Sequence, residues 1–218
     1  MQANITEIFS SIQGEGPYIG CRQIFVRFSG CNLRCEYCDT DHRPVKMLTC
    51  EELLQEINSL NIISHHSISL TGGEPLVHSD FLSEFLPMLS DLKVYLETNG
   101  VLYNEFRKIA PYVDIISMDI KIESSTGQQL PFEAHEEFIK VARFFKKEIF
   151  AKVVVSENIT DEEIRLIKYL VKDDMMLVLQ PMDNKCPADK LISIQMNFLK
   201  DIKDVRVIPQ VHKYMGLM

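Results

Sequence analysis

The sequence lacks the features that would direct it to a membrane or to nucleic acid. Its 23 Lys and Arg face 31 Asp and Glu, for a net charge of −8, so it carries no electrostatic footprint for general nucleic-acid binding. No apolar run is long enough to span a bilayer. The N-terminus lacks the basic and apolar stretches of a signal peptide. We therefore expect a cytoplasmic protein with no direct nucleic-acid or membrane partner.

Internal repeats, low-complexity tracts and linkers are also absent. The chain has 218 residues, enough to bury a sizeable core. Its composition, 46% hydrophobic and 25% charged, is typical of a globular protein. We expect a single domain over residues 1–218.

Short apolar stretches alternate with amphipathic stretches along the chain. Each predicted strand is rich in β-branched or apolar residues and lies between turn or polar signals. The predicted strands are 23–28, 67–70, 93–97, 114–117, 149–155, 176–180 and 205–208. The predicted helices are 49–60, 80–89, 132–147, 160–171 and 187–202. Thr49 and Glu52 predict a capping box for the first helix, and Pro87 is expected to bend or fray the end of the second.

This alternation predicts an α/β fold in which helices cover a parallel sheet. About six such units fall short of a full eight-fold barrel, so we expect an open, partial parallel β/α barrel. In such folds the functional residues lie at the carboxyl ends of the strands. Polar or Gly-rich groups follow the predicted strands at 30–31, 71–75, 98–100, 119, 121 and 181. The pattern predicts one active-site mouth.

Three of the six cysteines lie within eight residues. Without a secretion signal, a disulfide framework is the weaker interpretation. Cys31, Cys35 and Cys38 follow a C-x3-C-x2-C pattern, and three thiolates can hold three irons of a [4Fe–4S] cluster while the fourth iron stays open. A structural zinc site with His42 as fourth ligand is the alternative, but such sites usually space their ligands as two separated pairs.

The cysteine pattern, with the aromatic Tyr37 before its last member, resembles the radical S-adenosylmethionine superfamily. Residues 71–75 (TGGEP) resemble that superfamily's GGE element, which binds the methionine amino group. The resemblance implies a [4Fe–4S] cluster on the three cysteines and S-adenosylmethionine, whose reductive cleavage releases a 5′-deoxyadenosyl radical. For Gln180, a hydrogen bond at the sheet end is an equal alternative. The residues implied to bind S-adenosylmethionine are Tyr37, Cys38, Asp39, Gly73, Glu74, Ser117, Met118, Asp119, Lys121 and Gln180.

Motifs on either side of the cysteines narrow the resemblance to one family of this superfamily. Residues 11–17 (SIQGEGP), 25–32 (FVRFSGCN), 38–40 (CDT) and 209–214 (PQVHKY) together are similar to the 7-carboxy-7-deazaguanine synthase family over nearly the whole chain. This resemblance implies conversion of 6-carboxy-5,6,7,8-tetrahydropterin to 7-carboxy-7-deazaguanine with release of ammonia, in queuosine or 7-deazapurine biosynthesis. The radical would take hydrogen from C6 of the pterin, and S-adenosylmethionine would be regenerated.

The same resemblance implies that an N-terminal segment, about 5–22, and a C-terminal tail, about 205–218, bind the substrate. Arg27 is expected to pair with the substrate carboxylate, since its guanidinium suits bidentate contacts; a surface ion pair is the alternative. For His212 the alternative is a satisfied core histidine. Glu15 would contact the aminopyrimidine edge or cap its turn. The residues implied to bind substrate are Ile12, Gln13, Gly14, Glu15, Arg27, Thr71, His212 and Met218, the last through its C-terminal carboxylate.

The family resemblance implies Mg²⁺ as well, with Thr40 as its single protein ligand and with substrate oxygens and waters completing the octahedron. It further implies a flavodoxin or ferredoxin as electron donor and a homodimer. Two other functions are compatible with the cysteine motif. One is a glycyl-radical-enzyme activase, and the other is a non-catalytic iron–sulfur or zinc binding module, which leaves the polar groups at successive strand ends unexplained.

Overall fold

The computed structural model describes residues 1–38, 43–89, 92–129, 131–172, 175–184 and 186–217. Within these residues the strands are β1 (Gln2–Ile12), β2 (Arg22–Phe28), β3 (Lys46–Thr49), β4 (Ser67–Gly72), β5 (Lys93–Thr98), β6 (Ile115–Asp119), β7 (Glu148–Val155), β8 (Leu177–Pro181) and β9 (Val205–Val207). The helices are α1 (Cys50–Asn58), α2 (Ser79–Phe85), α3 (Tyr103–Ile109), α4 (Glu123–Thr126), α5 (Phe132–Phe144), α6 (Asp161–Val171), α7 (Ala188–Phe198) and α8 (Val211–Met215).

The strands form one open sheet in the order β3-β1-β2-β4-β5-β6-β7-β8-β9. From β2 through β4 to β9, each strand is parallel to its neighbour. β1 is antiparallel to both β2 and β3. The edges, β3 and β9, do not pair with each other, so the sheet is a partial barrel, as the sequence predicts. Its parallel strands bring their carboxyl ends to one rim.

Sequence reasoning missed two strands at one edge, β1 and β3. β1 interrupts its apolar residues with Asn4, Thr6 and Glu7, so it carries no continuous apolar run. Its eleven residues are extended because each side of the strand has a hydrogen-bonding neighbour, β2 on one side and β3 on the other. This pairing is long-range. Because β1 is antiparallel to β2, Ile12 pairs with Arg22 at the amino end of β2, and from there residues 12–15 reach the wall of the cavity.

The helices begin largely where the sequence predicts and end earlier. Thr49 and Glu52 form the expected capping box of α1. α2 stops at Phe85, and Pro87 lies in the 3-10 turn that follows, as expected. α5 and α7 end before the predicted limits of 147 and 202. α3, α4 and α8 were not predicted. In the part of the chain that the structure describes, no helix is long and apolar enough to cross a bilayer.

The two faces of the sheet differ, because successive side chains along a strand point to opposite sides. Leu70, Leu96 and Val153 point toward the helices and belong to the main hydrophobic core. Tyr95 and Phe150 point the other way, into a smaller apolar cluster. Each of these last two lies two residues before a polar residue nearer the carboxyl end of the same strand. The inner face is therefore apolar at depth and polar at the rim.

Candidate active site

A cavity of about 830 Å³ opens at the carboxyl ends of the parallel strands. It is where the sequence predicts the active-site mouth, and most of the predicted site residues line it. They come from the N-terminal segment, the cysteine loop, four strand ends and the C-terminal tail. These predicted residues on its wall are Ile12, Gln13, Gly14, Glu15, Arg27, Cys31, Cys35, Tyr37, Cys38, Thr71, Gly73, Ser117, Asp119, Lys121, Gln180 and His212.

Four predicted contacts concern residues outside the described part of the chain: Asp39, Thr40, His42 and Met218. Asp39 is a predicted S-adenosylmethionine contact, and Thr40 is the predicted Mg²⁺ ligand. His42 is the fourth ligand of the alternative zinc site. Met218 carries the C-terminal carboxylate.

Strand alternation decides which residues face this cavity. Ser117 and Asp119 of β6 line it, whereas Met118 between them is fully buried on the helix side and packs beneath Gly100. The Met118 side chain therefore packs in the core, and the expected contact of Met118 with S-adenosylmethionine stays a prediction. The same alternation brings in Glu97 and Lys152, which sequence reasoning missed. A charged residue inside an apolar predicted strand was the available signal for both.

The cysteine loop lies against the end of α4. The backbone N–H of Glu36 donates to the carbonyl of Thr126 at 3.1 Å, and the Glu36 side chain covers Gly127, where a Cβ would meet it at 2.4 Å. Gly127 has a φ of +71° and ends α4, a left-handed cap that suits glycine. Because Glu36 lies between Cys35 and Cys38, these contacts anchor the cysteine loop beside the cavity.

The cysteines have the surroundings of cluster ligands. The N–H of Leu33 donates to Sγ of Cys31 at 3.4 Å, and Nδ2 of Asn99 lies 3.9 Å from the same sulfur. Such donors are typical around cluster sulfurs. Burial raises the pKa of the Cys31 and Cys35 thiols, and a bound cation would favour their thiolate forms. No group of three His, Cys, Asp or Glu among the described residues is arranged to hold a single metal ion; a cluster instead takes one cysteine per iron.

The turn after β4 requires glycine. A Cβ on Gly72, whose φ is +114°, would lie 2.3 Å from the carbonyl oxygen of Phe28 on β2. The close approach lets Gly73 N–H donate to that same oxygen at 2.9 Å, while Glu74 N–H donates to Gly30 at 2.9 Å. The GGE element is thereby hydrogen-bonded to the chain that leads into the cysteine loop.

The Glu74 side chain does not line the cavity, and the expected contact of Glu74 with S-adenosylmethionine stays a prediction. Its carboxylate is fully buried and accepts from Leu76 N, Thr98 Oγ1 and Asn99 N at 2.8 to 3.1 Å. Burial raises the pKa of Glu74 to about 7, although the three donors oppose the shift. Glu74 therefore joins the ends of β4 and β5 and holds Asn99 beside Cys31.

Lys121 links the cysteine loop to the end of β6. Its Nζ donates to the Tyr37 hydroxyl at 2.7 Å and lies 2.9 Å from Oδ2 of Asp119. Burial alone would lower the pKa of Lys121, but the Asp119 carboxylate keeps it above its usual range. The ammonium also lies 5.1 Å from the centre of the Tyr37 ring. These contacts hold the Tyr37 ring against the wall of the cavity.

The N-terminal segment and the C-terminal tail meet at the wall of the cavity. Val211 N–H donates to the Gly14 carbonyl at 2.9 Å, and His212 packs on Gly14. Gln210 Nε2 donates to Oε1 of Glu15 at 2.7 Å, and Lys152 donates to Oε2. Burial raises the pKa of Glu15, but the Lys152 ammonium outweighs it and holds that pKa at about 2. Glu15 is thus an ionised acceptor, and its side chain makes no cap hydrogen bond to the turn at Gly16–Tyr18.

Glu97 is the acceptor at the centre of a second polar group. Gln13 Nε2 donates to its Oε1 at 2.9 Å, and Thr71 Oγ1 donates to its Oε2 at 2.8 Å. Gln13 also donates to Gln23 at 3.0 Å. Two residues predicted from the sequence, Gln13 and Thr71, are therefore joined by one that was not.

Arg27 lies beside Thr71 in the register of β2 and β4. Its Nε is 3.5 Å from Oε2 of Glu7, and its guanidinium lies 5.2 Å from the centre of the Phe9 ring. The Nε atom is buried and has no hydrogen-bond partner among the described residues. Both interpretations of Arg27 therefore have support. Its contact with Glu7 is the ion pair, and its position in the cavity wall would let it bind the substrate carboxylate.

Among the described residues that line the cavity, two further buried atoms lack hydrogen-bond partners, Oδ1 of Asp119 and Oε1 of Gln180. Both residues line the cavity. An acceptor left unpaired in this way is costly unless a ligand donates to it. The amino and hydroxyl groups of S-adenosylmethionine are such donors, so the residues present fit this cofactor.

A family model agrees with this geometry. The model of the Radical SAM superfamily matches residues 25–170, more than half of the chain, so the chain belongs to that superfamily. Membership implies a [4Fe–4S] cluster and S-adenosylmethionine.

Curated relatives of similar length identify the family within it. The 7-carboxy-7-deazaguanine synthase of Geobacter sulfurreducens is 37% identical, with 98% of this chain and 97% of the relative covered. The one of Archaeoglobus fulgidus is 34% identical and is covered, like this chain, over 100% of its length. The chain belongs to the 7-carboxy-7-deazaguanine synthase family, and the resemblance noted from the sequence motifs is confirmed.

Solved structures confirm the fold. The crystal structure of QueE from Escherichia coli has a TM-score of 0.66 at 22% identity, covering 97% of this chain and 95% of that one. A structure of anSMEcpe with bound AdoMet and a peptide has a TM-score of 0.56 at 17% identity, covering 79% of this chain and 56% of that one. The open β/α barrel is shared by all three.

Proposed function

We propose that this enzyme is a carbon–nitrogen lyase that converts 6-carboxy-5,6,7,8-tetrahydropterin to 7-carboxy-7-deazaguanine with loss of ammonia. The observation that carries the proposal is the meeting of residues 13–15 with residues 210–212 on one wall of the cavity that the cysteine loop also lines. An enzyme that only generated the radical would need the cysteine loop but not this second group of contacts. The full-length relatives favour this function over an activase and over a binding module.

The cluster and S-adenosylmethionine together supply a carbon-centred radical that can remove an unactivated hydrogen atom. Cys31, Cys35 and Cys38 hold the cluster in this proposal. Asp119 and Gln180 use their unpaired oxygens to accept hydrogen bonds from S-adenosylmethionine. Holding it in one orientation beside the substrate is the protein's main contribution.

The substrate lies between Arg27 and the carboxylates Glu15 and Glu97 in this proposal. Arg27 pairs with the pterin carboxylate, because its buried Nε needs an acceptor. The ring N–H groups donate to Glu97 or Glu15, which are held in place by Gln13 and Gln210. His212 and the tail close the wall behind the substrate. Such a site orients a flat polar ring and excludes water from it.

We also propose Mg²⁺ bound through Thr40, a flavodoxin or ferredoxin as electron donor, and a homodimer in the cytoplasm. These follow from the family resemblance; Thr40 lies outside the described residues. Mg²⁺ would be completed by substrate oxygens and water, which suits its octahedral preference.

An anaerobic assay tests the function. The cluster is reconstituted, S-adenosylmethionine, Mg²⁺, a strong reductant and the pterin are added, and the product is identified by mass. We expect 7-carboxy-7-deazaguanine, with less of it when Mg²⁺ is omitted. Accumulation of 5′-deoxyadenosine without this product would keep the radical chemistry and reject the substrate. Neither compound, with intact cluster absorbance, would support the binding module.

A further inference from the structure

A continuous line of polar contacts crosses the cavity wall, from the C-terminal tail to the cysteine loop. Gln210 donates to Glu15, and Glu15 accepts from Lys152. Lys152 Nζ lies 3.5 Å from Oδ2 of Asp119. The same Asp119 oxygen is 2.9 Å from Nζ of Lys121, which donates to Tyr37 at 2.7 Å. The line therefore alternates carboxylate and ammonium groups between two distant parts of the sequence.

Lys152 is the residue at the middle of this line. It faces Asp119 across the register of β6 and β7, and only 8% of its surface is exposed. Glu15 and Asp119 are themselves almost enclosed, with side-chain exposures of 17% and 15%. Two carboxylates in one buried site repel each other unless a cation lies between them. A lysine ammonium carries three donors, so one group can hold both.

The two carboxylates belong to different halves of the cavity. Glu15 follows the N-terminal segment and is held by the tail. Asp119 lies at the end of β6 with a buried Oδ1 that has no partner among the described residues, on the side of Tyr37 and the cysteine loop. A ligand that orders Glu15 therefore also orders Lys152, one of two ammonium groups beside Asp119, the other being Lys121.

We propose that Lys152 is a positioning residue that couples the two halves, so that pterin binding near Glu15 strengthens S-adenosylmethionine binding at Asp119. The identity of the two ligands rests on the proposed function. The coupling itself rests on the shared ammonium. By linkage, S-adenosylmethionine must strengthen pterin binding by the same factor.

Equilibrium binding to the reconstituted holoenzyme tests this without turnover, since the reductant is left out. The Kd of S-adenosylmethionine is measured by anaerobic calorimetry, without and with saturating 6-carboxytetrahydropterin. In the wild type we expect the pterin to lower this Kd about tenfold, within the usual range of coupling. In Lys152→Met the ratio of the two Kd values should fall to about one. Lys152→Gln, a second neutral variant, should show the same loss and serves if the methionine variant does not fold.

Lys168→Met is the matched control. Lys168 is also partly buried and forms an ion pair, at 2.7 Å from Asp201, but it lies on α6 outside the cavity. It should keep the wild-type ratio, so a fall confined to the Lys152 variants supports coupling through the site. A wild-type ratio of one, or a full ratio in a folded Lys152 variant, overturns the proposal. If the wild type forms the expected product but shows no coupling, only this inference fails; if it binds no pterin, the proposed function fails with it.

Discussion

The imidazole of His212 packs on Gly14 so closely that a Cβ at residue 14 would lie 2.5 Å from its Nδ1 atom. The contact joins two motifs that are almost two hundred residues apart in the chain. It seats the C-terminal tail on the segment that leads into Glu15. Its consequences for binding can be tested by adding one methyl group.

Gly14→Ala should displace the tail and weaken substrate binding. Overpacking of this kind costs about 1–3 kcal/mol, so we expect a lower free energy of unfolding and a higher KM for the pterin. Chemical denaturation and steady-state kinetics measure the two effects. Cluster absorbance should stay at the wild-type level, because Gly14 contacts the tail at Val211 and His212, whereas Thr126 and Gly127 hold the cysteine loop. An unchanged KM would mean that the tail does not shape the substrate site.

Gly72→Ala should be more damaging than Gly20→Ala. Both residues have positive φ, at +114° and +88°, but a Cβ at Gly20 meets no atom within 4 Å, whereas at Gly72 it meets Phe28 backbone. Gly20→Ala should therefore cost only conformational strain, about 1–2 kcal/mol. Gly72→Ala should add a steric cost of about 1–3 kcal/mol. Urea denaturation of both variants measures the difference. An equal loss in the free energy of unfolding of the two variants would show that β2 and β4 can move apart at Gly72 at little cost.

Arg27→Ala should raise the KM for the pterin by about 10- to 150-fold, from the 1.5–3 kcal/mol of a charged hydrogen bond. Glu7→Gln is the matched comparison, because Glu7 is the ion-pair partner of Arg27 at 3.5 Å. If Arg27 binds the substrate carboxylate, removal of the Glu7 charge should change KM little. The same increase in both variants would make Arg27 a structural ion-pair residue.

His135 should make stability depend on pH. Its ring is fully buried on α5 and donates through Nε2 to the Asn99 carbonyl at 2.9 Å. Burial lowers the pKa of His135 from its usual 6.5 to about 4. Between these values the unfolded chain binds the proton and the folded chain does not. This histidine's contribution to stability is therefore lost as pH falls from about 6.5 to about 4, and it is fully present above 6.5.

The measurement is the free energy of unfolding of the wild type and of His135→Gln from pH 4 to 7. Glutamine can still donate to Asn99 but does not titrate. The wild type minus variant difference should rise by about 3 kcal/mol over this range. A flat difference would show that the folded protein accommodates the charged ring.

Cys35→Ala should abolish both cluster assembly and product formation. The remaining two cysteines can bind only two irons of the cluster. Cys186→Ala is the matched control, since Cys186 is also partly buried but does not line the cavity. Cluster absorbance after reconstitution and product by mass are the two readouts. Product formed by Cys35→Ala would contradict the radical mechanism.

Local sequence signals were sufficient for the parts of the site that depend on neighbouring residues. The cysteine spacing lies within eight residues, and the glycines at 72 and 73 come where a strand ends. The capping box at Thr49 is likewise a local hydrogen-bond pattern, and it forms as predicted. The seven predicted strands all exist, because each alternates or concentrates apolar residues over a short stretch.

The side-chain contacts could be predicted less well. Met118 and Glu74 have motif positions that suggest ligand contact, yet strand alternation and a buried carboxylate site turn both away from the cavity. Glu97 and Lys152 carry no motif, although each is a charged residue within an apolar strand. A count of alternate positions from Tyr95 and Phe150 would have placed both on the inner face.

The sequence alone therefore determined the family, the cluster and S-adenosylmethionine that membership implies, and the order of seven strands and five helices, because these depend on spacing within short segments. The tertiary structure decided that Glu15 meets Lys152, that Gly14 meets His212 and that β1 completes the sheet. These contacts join residues far apart in the chain. Their geometry is set by how the sheet curves and packs, which no local pattern encodes.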